Sequence, residues 1–259
     1  RDLFPVLHRK MKTVQTGVLV SAAVACILAG CATYENPLTK KTERTLYSEQ
    51  DEIDLGVAID RKIAAESRIV EPTPRVYTTM LARLAAVSDR PGLPYVVRLV
   101  DNKEINAFSI PGGFVYLYTG LVARLDDDEI ACVMGHEIGH IVARDSVNRL
   151  QSTILYSVPA NILFGSGRAT AIQKAVDATF TLSLLRYSRQ QELRADTLAV
   201  VYARKAGYDP AGMLRVLKKL QEESKTTPPK MLYLLSDHPD IAERIANVEA
   251  TIALLSKGG

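Results

Sequence analysis

The segment His136-Glu137-Ile138-Gly139-His140 contains the residue types that bind a metal ion and use it in catalysis. In a helix, a spacing of four residues places both imidazoles on one face, one turn apart, where they can share a metal. Glu137 lies beside them and can take a proton from metal-bound water. A chance match on a surface helix is the alternative, but the segment holds two of the chain's four histidines. We therefore expect one zinc ion per chain at this segment.

A catalytic zinc site normally has a third protein ligand and one open position. The pattern HExxHxxGxxH is excluded because Ala143 and Ser146 occupy its glycine and third histidine positions. A carboxylate from a later helix is the remaining common solution. Glu192 is the best candidate, because Asp196 follows one turn later and could accept the second N–H of a zinc-bound histidine. The alternative is a solvated charged face, because neighbouring side chains are also charged.

Capping, proline and glycine signals predict the helices that must position these residues. Asp126, Asp127 and Asp128 favour the start of the helix that carries the histidines, which we expect to continue to about Arg149. By the same signals, further helices are expected at about 48–67, 73–88, 170–187, 188–206 and 211–223, and from 240 towards the carboxyl terminus. The chain is thus predicted to be mostly helical.

Three short segments rich in β-branched or aromatic residues predict strands. They cover about 95–100, 106–110 and 114–119, and Pro111-Gly112-Gly113 joins the last two. We expect a small antiparallel sheet beside the helix that carries the histidines. The predicted fold class is α+β, mostly α.

The amino-terminal region has the pattern of an export signal. The first methionine is Met11, so residues 1–10 are expected to be upstream sequence. An apolar stretch follows, and Leu28-Ala29-Gly30-Cys31 resembles the lipobox of bacterial lipoproteins, which implies a lipid on Cys31. An ordinary signal peptide or a membrane anchor is the alternative, but the stretch is shorter than the roughly 18–20 residues that a membrane span needs. We expect a tether over 31–46 and a single domain over 47–259.

Charge and cysteine usage narrow the function classes. Residues 1–30 hold four of the 32 basic and one of the 29 acidic side chains, so residues 31–259 are neutral. A mature chain without net charge gives no sign of the basic surface that binds nucleic acid.

The cysteines bear on disulfides and on nucleophilic catalysis. Cys26 lies in the expected signal and Cys31 would carry lipid, which leaves Cys132 for the folded domain. We expect no disulfide there, and a buried Cys132 rather than a nucleophile.

Five motifs of the chain together resemble the gluzincin family of the HtpX heat-shock proteases, the Oma proteases and the CAAX prenyl protease. Two of them are the segment 136–140 and Glu192-Leu193-Arg194-Ala195-Asp196. The further motifs are Asn106-Ala107-Phe108, Pro111-Gly112-Gly113 and His238-Pro239. The resemblance covers about 47–248 and implies a zincin-like helical core, zinc, endopeptidase activity, and the ligands His136, His140 and Glu192. It also implies that substrate binds as an extended strand at Asn106, Ala107 and Phe108. The alternative is a purely structural role, in which Ala107 and Phe108 only pack in the hydrophobic core.

His238 is the remaining histidine of the expected mature chain, and its role stays open. It could donate a hydrogen bond to the transition-state oxyanion, serve as a removable fourth zinc ligand that holds the enzyme latent, or fix a loop. Arg244, in the following helix, could assist as a second donor. We therefore count His238 and Arg244 as candidate catalytic residues beside Glu137.

The sequence predicts a zinc-dependent endopeptidase, lipid-anchored in the bacterial periplasm, with polypeptide substrates such as misfolded or envelope proteins. One alternative is a chaperone-like lipoprotein with a structural zinc, although such sites are usually closed by four ligands rich in cysteine. A second alternative is a prenyl-protein protease, which the lack of expected membrane spans disfavours.

Overall fold

The computed structural model describes residues 32–157, 187–226 and 241–257. The strands are β1 Ala32–Glu35, β2 Thr42–Thr45, β3 Val96–Val100, β4 Ala107–Ile110 and β5 Phe114–Tyr118. The helices are α1 Glu49–Glu66, α2 Arg75–Ala86, α3 Thr119–Val122, α4 Asp127–Val142, α5 Asp145–Ser157, α6 Arg189–Lys205, α7 Gly212–Thr226 and α8 Ile241–Lys257. The expected α+β class, mostly α, is confirmed; most of the expected helix at 170–187 lies outside the described residues.

Capping boxes fix the first turns of α1, α4 and α6, three helices that begin where the sequence predicts them. Ser48 caps α1, and its hydroxyl accepts the Asp51 N–H while the Asp51 carboxylate accepts the Ser48 N–H. Asp126 forms the same reciprocal pair with Glu129 at the start of α4. Each pair satisfies amide groups that a helix leaves without intrahelical partners.

The main sheet has the strand order β3-β5-β4 and mixed directions. β4 pairs with β5 antiparallel as expected, but β3 pairs with β5 parallel, which corrects the expectation of a fully antiparallel sheet. The central strand β5 is apolar throughout, as is typical of a strand covered on both faces. β4 therefore occupies one edge of this sheet.

Helices cover both faces of the sheet. On one face, Val115 and Leu117 of β5 share an apolar cluster with α4 and α2, and on the other face Tyr116 shares a second cluster with α1. A third cluster joins α4, α6, α7 and α8 on the far side of α4. α4 is consequently buried along almost its whole length. In the described part of the chain, no helix combines the length and apolarity needed to cross a membrane.

The helix expected to continue from Asp126 to Arg149 is interrupted. α4 ends at Val142, and Arg144 adopts a left-handed conformation with φ 55°, after which α5 begins at Asp145. A buried network holds Arg144 there: its Nε lies 3.0 Å from Glu52 Oε2, and its Nη2 donates to the Tyr47 carbonyl at 2.7 Å. No glycine marks this break, so the local sequence does not reveal it.

The segment expected to be a tether contains a β-hairpin, formed by β1 and β2. Its polar residues pair with one another: Asn36 Oδ1 accepts the Leu38 N–H, and the Tyr34 hydroxyl donates to Glu43 at 2.7 Å. The Tyr34 ring also lies 4.4 Å from the Arg144 guanidinium carbon. The polar composition of this segment predicted a solvated tether. Composition alone does not show that these polar groups form hydrogen bonds with one another.

Candidate metal centre

The helix α4 carries His136, Glu137 and His140, and all three side chains are buried. Their Cα atoms occupy neighbouring positions on two turns, so both histidine rings project from the same face. The rings lie edge to face, with centroids 4.7 Å apart. This face of α4 is directed towards α6.

The close approach of α6 to α4 depends on two glycines of α4. A Cβ atom on Gly135 would lie 3.2 Å from the Ala199 Cα, and one on Gly139 would lie 3.1 Å from the Ala195 Cα. Both pairs have helical i, i+4 spacing, so the helices touch through backbone and small side chains along a seam. This contact brings Glu192, in the first turn of α6, against the two histidines.

Three ligand atoms converge where the helices meet. His136 Nε2 and His140 Nε2 are 3.1 Å apart, and Glu192 oxygens lie 3.7 Å from the first and 3.4 Å from the second. Two nitrogens bound at about 2.0–2.1 Å to one tetrahedral zinc would be roughly 3.3 Å apart. In the described ranges, these three residues form the group whose spacing could hold a metal ion. The donor set therefore fits zinc.

Carboxylates orient both histidine rings from behind. His136 Nδ1 lies 2.8 Å from Asp196 Oδ1, and His140 Nδ1 lies 2.8 Å from Asp145 Oδ2. A proton on each Nδ1 leaves each Nε2 lone pair directed at the metal position. The contact expected for Asp196 is thus present in the structure, with His136 as its partner.

The pKa values of the two histidines shift in opposite directions. Burial lowers the pKa of His136, although Asp196 opposes the shift. Burial acts in the same direction on His140, but hydrogen bonds with Asp145 and Glu192 raise its pKa to about 9. Metal ligands must be deprotonated, so a metal that bound here at neutral pH would displace the proton of His140.

Arg244, from α8, lies behind Glu192 and Asp196. Its Nη1 is 3.0 Å from Glu192 Oε2, and two other nitrogens hydrogen-bond to Asp196. Burial would raise the pKa of Asp196, but Arg244 and His136 lower it, so Asp196 is a carboxylate. The structure therefore places Arg244 against the carboxylates of the centre. His238 lies outside the described residues, as does Cys31.

Asp145 is a residue of the centre that the sequence reasoning missed. In an uninterrupted helix it would point about 140° away from His140, but the break at Arg144 turns it back. Its other oxygen accepts hydrogen bonds from Arg194 at 2.5 Å and Gln191 at 2.9 Å. Asp145, the first residue of α5, therefore links this helix by hydrogen bonds to His140 of α4 and to α6.

Tyr187 was also missed. Its ring stacks on His140 with centroids 3.8 Å apart and an angle of 11° between the planes. The Arg149 guanidinium carbon lies 3.9 Å from the centroid of the Tyr187 ring, and the Tyr187 hydroxyl is 3.2 Å from Ser146 Oγ. Tyr187 thus fixes the plane of a candidate ligand. An aromatic residue just before a helix gives no sequence signal for such a contact.

Glu137 lies between the metal position and the sheet. Its carboxylate accepts a hydrogen bond from the Ser109 hydroxyl of β4 at 2.8 Å. A small cavity beside Glu137 and His136 has walls of apolar side chains from α4 and α7, with Arg244 at one side. These apolar residues are Val133, Met213, Val216, Leu217 and Leu220. The surroundings suit a base that works in a partly dry cleft.

The three expected substrate-binding residues lie at and before the edge strand β4. Ala107 packs in the core beside α4, and Phe108 stacks on Tyr116 with centroids 4.6 Å apart. Asn106 is 7% exposed, and the described residues provide no hydrogen-bond partner for its side-chain oxygen. Core packing thus accounts for both Ala107 and Phe108, whereas the Asn106 side-chain oxygen is a buried acceptor for which the described residues offer no donor.

Cys132 is a core residue of α4. Its side chain is fully buried and its sulfur lies 3.6 Å from the Asp209 carbonyl oxygen. Burial raises the pKa of this thiol to about 12. A thiol that stays protonated at neutral pH is not a nucleophile, so the expected buried role is the one the structure supports.

The chain is similar to several known proteins. The profile of Peptidase family M48 matches residues 73–252. The metalloprotease LoiP of Escherichia coli (strain K12) is 24% identical over 247 residues, which cover 89% of this chain and 94% of that protein. The beta-barrel assembly-enhancing protease of the same organism is 28% identical over 210 residues, covering 76% of this chain and 42% of that protein.

Two further similarities extend to eukaryotic proteins. The mitochondrial metalloendopeptidase OMA1 of Arabidopsis thaliana is 32% identical over 138 residues, covering 52% of this chain and 28% of that protein. A crystal structure of S. mikatae Ste24p matches with a TM-score of 0.44 and 19% identity, covering 77% of this chain and 55% of that one. The chain spans less than half the length of the OMA1 and beta-barrel assembly-enhancing relatives.

Proposed function

Since this chain belongs to Peptidase family M48, we propose that it is a metalloprotease, and specifically a zinc-dependent endopeptidase that hydrolyses proteins of the bacterial envelope. The observation that carries the proposal is the convergence of His136 Nε2, His140 Nε2 and the Glu192 carboxylate beside Glu137. Two imidazoles and one carboxylate are the ligand set of catalytic zinc sites that keep a fourth position open.

Glu137 is the proposed general base. When bound, zinc polarises the scissile carbonyl and lowers the pKa of water. The Glu137 carboxylate is buried at the same site as the ligands, so it can reach the attacking water. In this proposal it accepts the proton of that water and returns it to the leaving amine. His136 and His140 hold their orientation through Asp196 and Asp145.

The substrate is proposed to bind as an extended strand along the edge of β4 that no strand of the described residues covers. Main-chain pairing aligns a peptide with little dependence on its sequence, which suits an enzyme that cleaves many proteins. The register of β4 supports this proposal, because the peptide groups of Ala107 and Ser109 point away from β5. Of the expected residues Asn106, Ala107 and Phe108, Ala107 would then contribute main-chain contacts at this edge.

Activity of the purified chain towards casein tests the proposal. Cleavage should stop when a chelator removes the metal and return when zinc is added in a stoichiometric amount. Glu192→Ala should bind less zinc than the wild type, whereas a charge change far from the centre, such as Glu249→Gln, should not affect zinc content. No cleavage by the zinc-loaded protein would refute the peptidase proposal and favour a chaperone-like lipoprotein.

Attachment to a membrane through lipid on Cys31 is a separate proposal. It is supported by the lipobox-like sequence 28–31 and places the enzyme in the periplasm, on the outer membrane. Cys31→Ser should release the protein into the soluble fraction after export. If the exported variant remains in the membrane fraction, the lipid anchor is wrong.

A further inference from the structure

The Ser109 hydroxyl forms a direct contact with the proposed general base. Ser109 Oγ donates to Glu137 Oε2 over 2.8 Å, and the two side chains come from different elements, β4 and α4. Ser109 is 7% exposed and Glu137 is fully buried, so water competes little for this bond. Hydrogen bonds to a charged acceptor in such surroundings are among the stronger ones in proteins.

The register of β4 determines where the peptide groups of Ser109 point. Asn106 accepts a hydrogen bond from the Tyr118 N–H, which makes these two residues a hydrogen-bonded pair of the antiparallel ladder. Such pairs alternate with pairs that do not exchange hydrogen bonds. Phe108 and Ile110 therefore bond to β5, whereas the N–H and C=O groups of Ala107 and Ser109 point to the open edge.

Ser109 consequently faces two parts of the site at once. Its side chain lies on the α4 face of the sheet, and its peptide groups lie at the edge where an extended substrate would pair. A hydrogen bond to one oxygen restricts rotation of the carboxylate about its last torsion. The other oxygen of Glu137 then keeps a fixed direction relative to a peptide paired on the same strand.

We propose that Ser109 is a positioning residue for Glu137: its hydroxyl fixes the general base relative to the edge strand that receives the substrate. This inference rests on the proposed peptidase function. Loss of the hydroxyl lowers the rate of the chemical step, because orientation of the base matters there. It leaves substrate binding intact, because the peptide groups of Ser109 are unchanged.

The matched variants Ser109→Thr and Ser109→Val test the inference, because threonine and valine have nearly the same shape and differ in the hydroxyl. Each variant is loaded with zinc, and zinc content and thermal unfolding are measured beside kcat and KM for a fluorogenic peptide. Ser109→Val should lose about 10-fold in kcat, part of the roughly 100- to 10,000-fold that a general base contributes. KM should change less than about twofold, and Ser109→Thr should keep most of kcat.

Equal kcat values for the two variants would overturn the inference, as would a loss confined to KM. If Ser109→Val unfolds or loses zinc, Ser109→Ala replaces it in the comparison with Ser109→Thr. A further outcome is that the wild type cleaves the peptide and loses this activity on chelation while Ser109→Val keeps an unchanged kcat. That result rejects the role of Ser109 but not the proposed peptidase function. An inactive zinc-loaded wild type rejects the proposed function and this inference together.

Discussion

Arg244 holds Asp196 through two hydrogen bonds, from Nε to Oδ2 at 2.8 Å and from Nη2 to Oδ1 at 2.7 Å. Asp196 in turn orients His136, so a residue of α8 acts on a candidate metal ligand of α4 through a carboxylate of α6. All three side chains are buried. The terminal helix is therefore part of the support of the centre.

Arg244→Ala is predicted to weaken zinc binding by about 10- to 100-fold, the usual cost of losing a group that supports a metal ligand. Competition with a fluorescent chelator measures the affinity. Arg244→Lys, which keeps the charge but not the paired donors, should fall between wild type and Arg244→Ala. Normal zinc affinity with a strongly reduced kcat would instead support the role suggested by the sequence, a donor to the transition state.

Glu137→Gln should keep zinc and lose roughly 100- to 10,000-fold in kcat, because the ligands remain while the base is gone. The ratio of zinc to protein and the rate of peptide cleavage are measured on the same sample. Full activity with zinc bound would mean that another group takes the proton.

Asp145→Asn is predicted to lower zinc affinity, because an amide orients the His140 ring less firmly than a carboxylate does. About a 10-fold loss is expected. Since Arg194 also contacts Asp145, Arg194→Gln serves as a control for the lost ion pair. An equal loss in both variants would show that the contact to His140 contributes little.

His238→Ala distinguishes three roles that the sequence leaves open. Loss of an oxyanion donor costs about 100- to 1000-fold in kcat with zinc retained. Loss of a latching fourth ligand raises activity, and loss of a loop contact leaves both quantities unchanged. We expect the first result, and kcat together with zinc content decides among the three.

The sequence predicted the parts of the centre that depend on helix geometry. The spacing of His136 and His140 follows from 3.6 residues per turn, and the start of α4 follows from the side-chain chemistry of Asp126. Glu192 was indicated by Asp196 one helical turn later and by the family resemblance. Asp145 could not be predicted, because its contact to His140 depends on a helix break that is held from outside, by Glu52 and the Tyr47 carbonyl.

The sheet shows the same limit. Each strand could be recognised from its composition, but the placement of β5 between β3 and β4 results from packing between helices on both faces. The hydrogen bond from Ser109 to Glu137 likewise joins residues 28 positions apart. Contacts of this kind are set by tertiary structure, which local spacing does not encode.

The seam between α4 and α6 has a consequence for the choice of metal. At Gly135 and Gly139 the helices already meet at their backbones, since an added Cβ would lie 3.2 Å from the Ala199 Cα and 3.1 Å from the Ala195 Cα. Zinc bonds of about 2.0–2.1 Å require closely spaced donors, whereas calcium takes ligands at about 2.3–2.6 Å. A methyl group on Gly139 would require the neighbouring backbone to give by a few tenths of an ångström. The missing side chains at these two positions thus let α4 and α6 approach closely enough for Glu192 and the histidines to meet at a spacing that suits zinc.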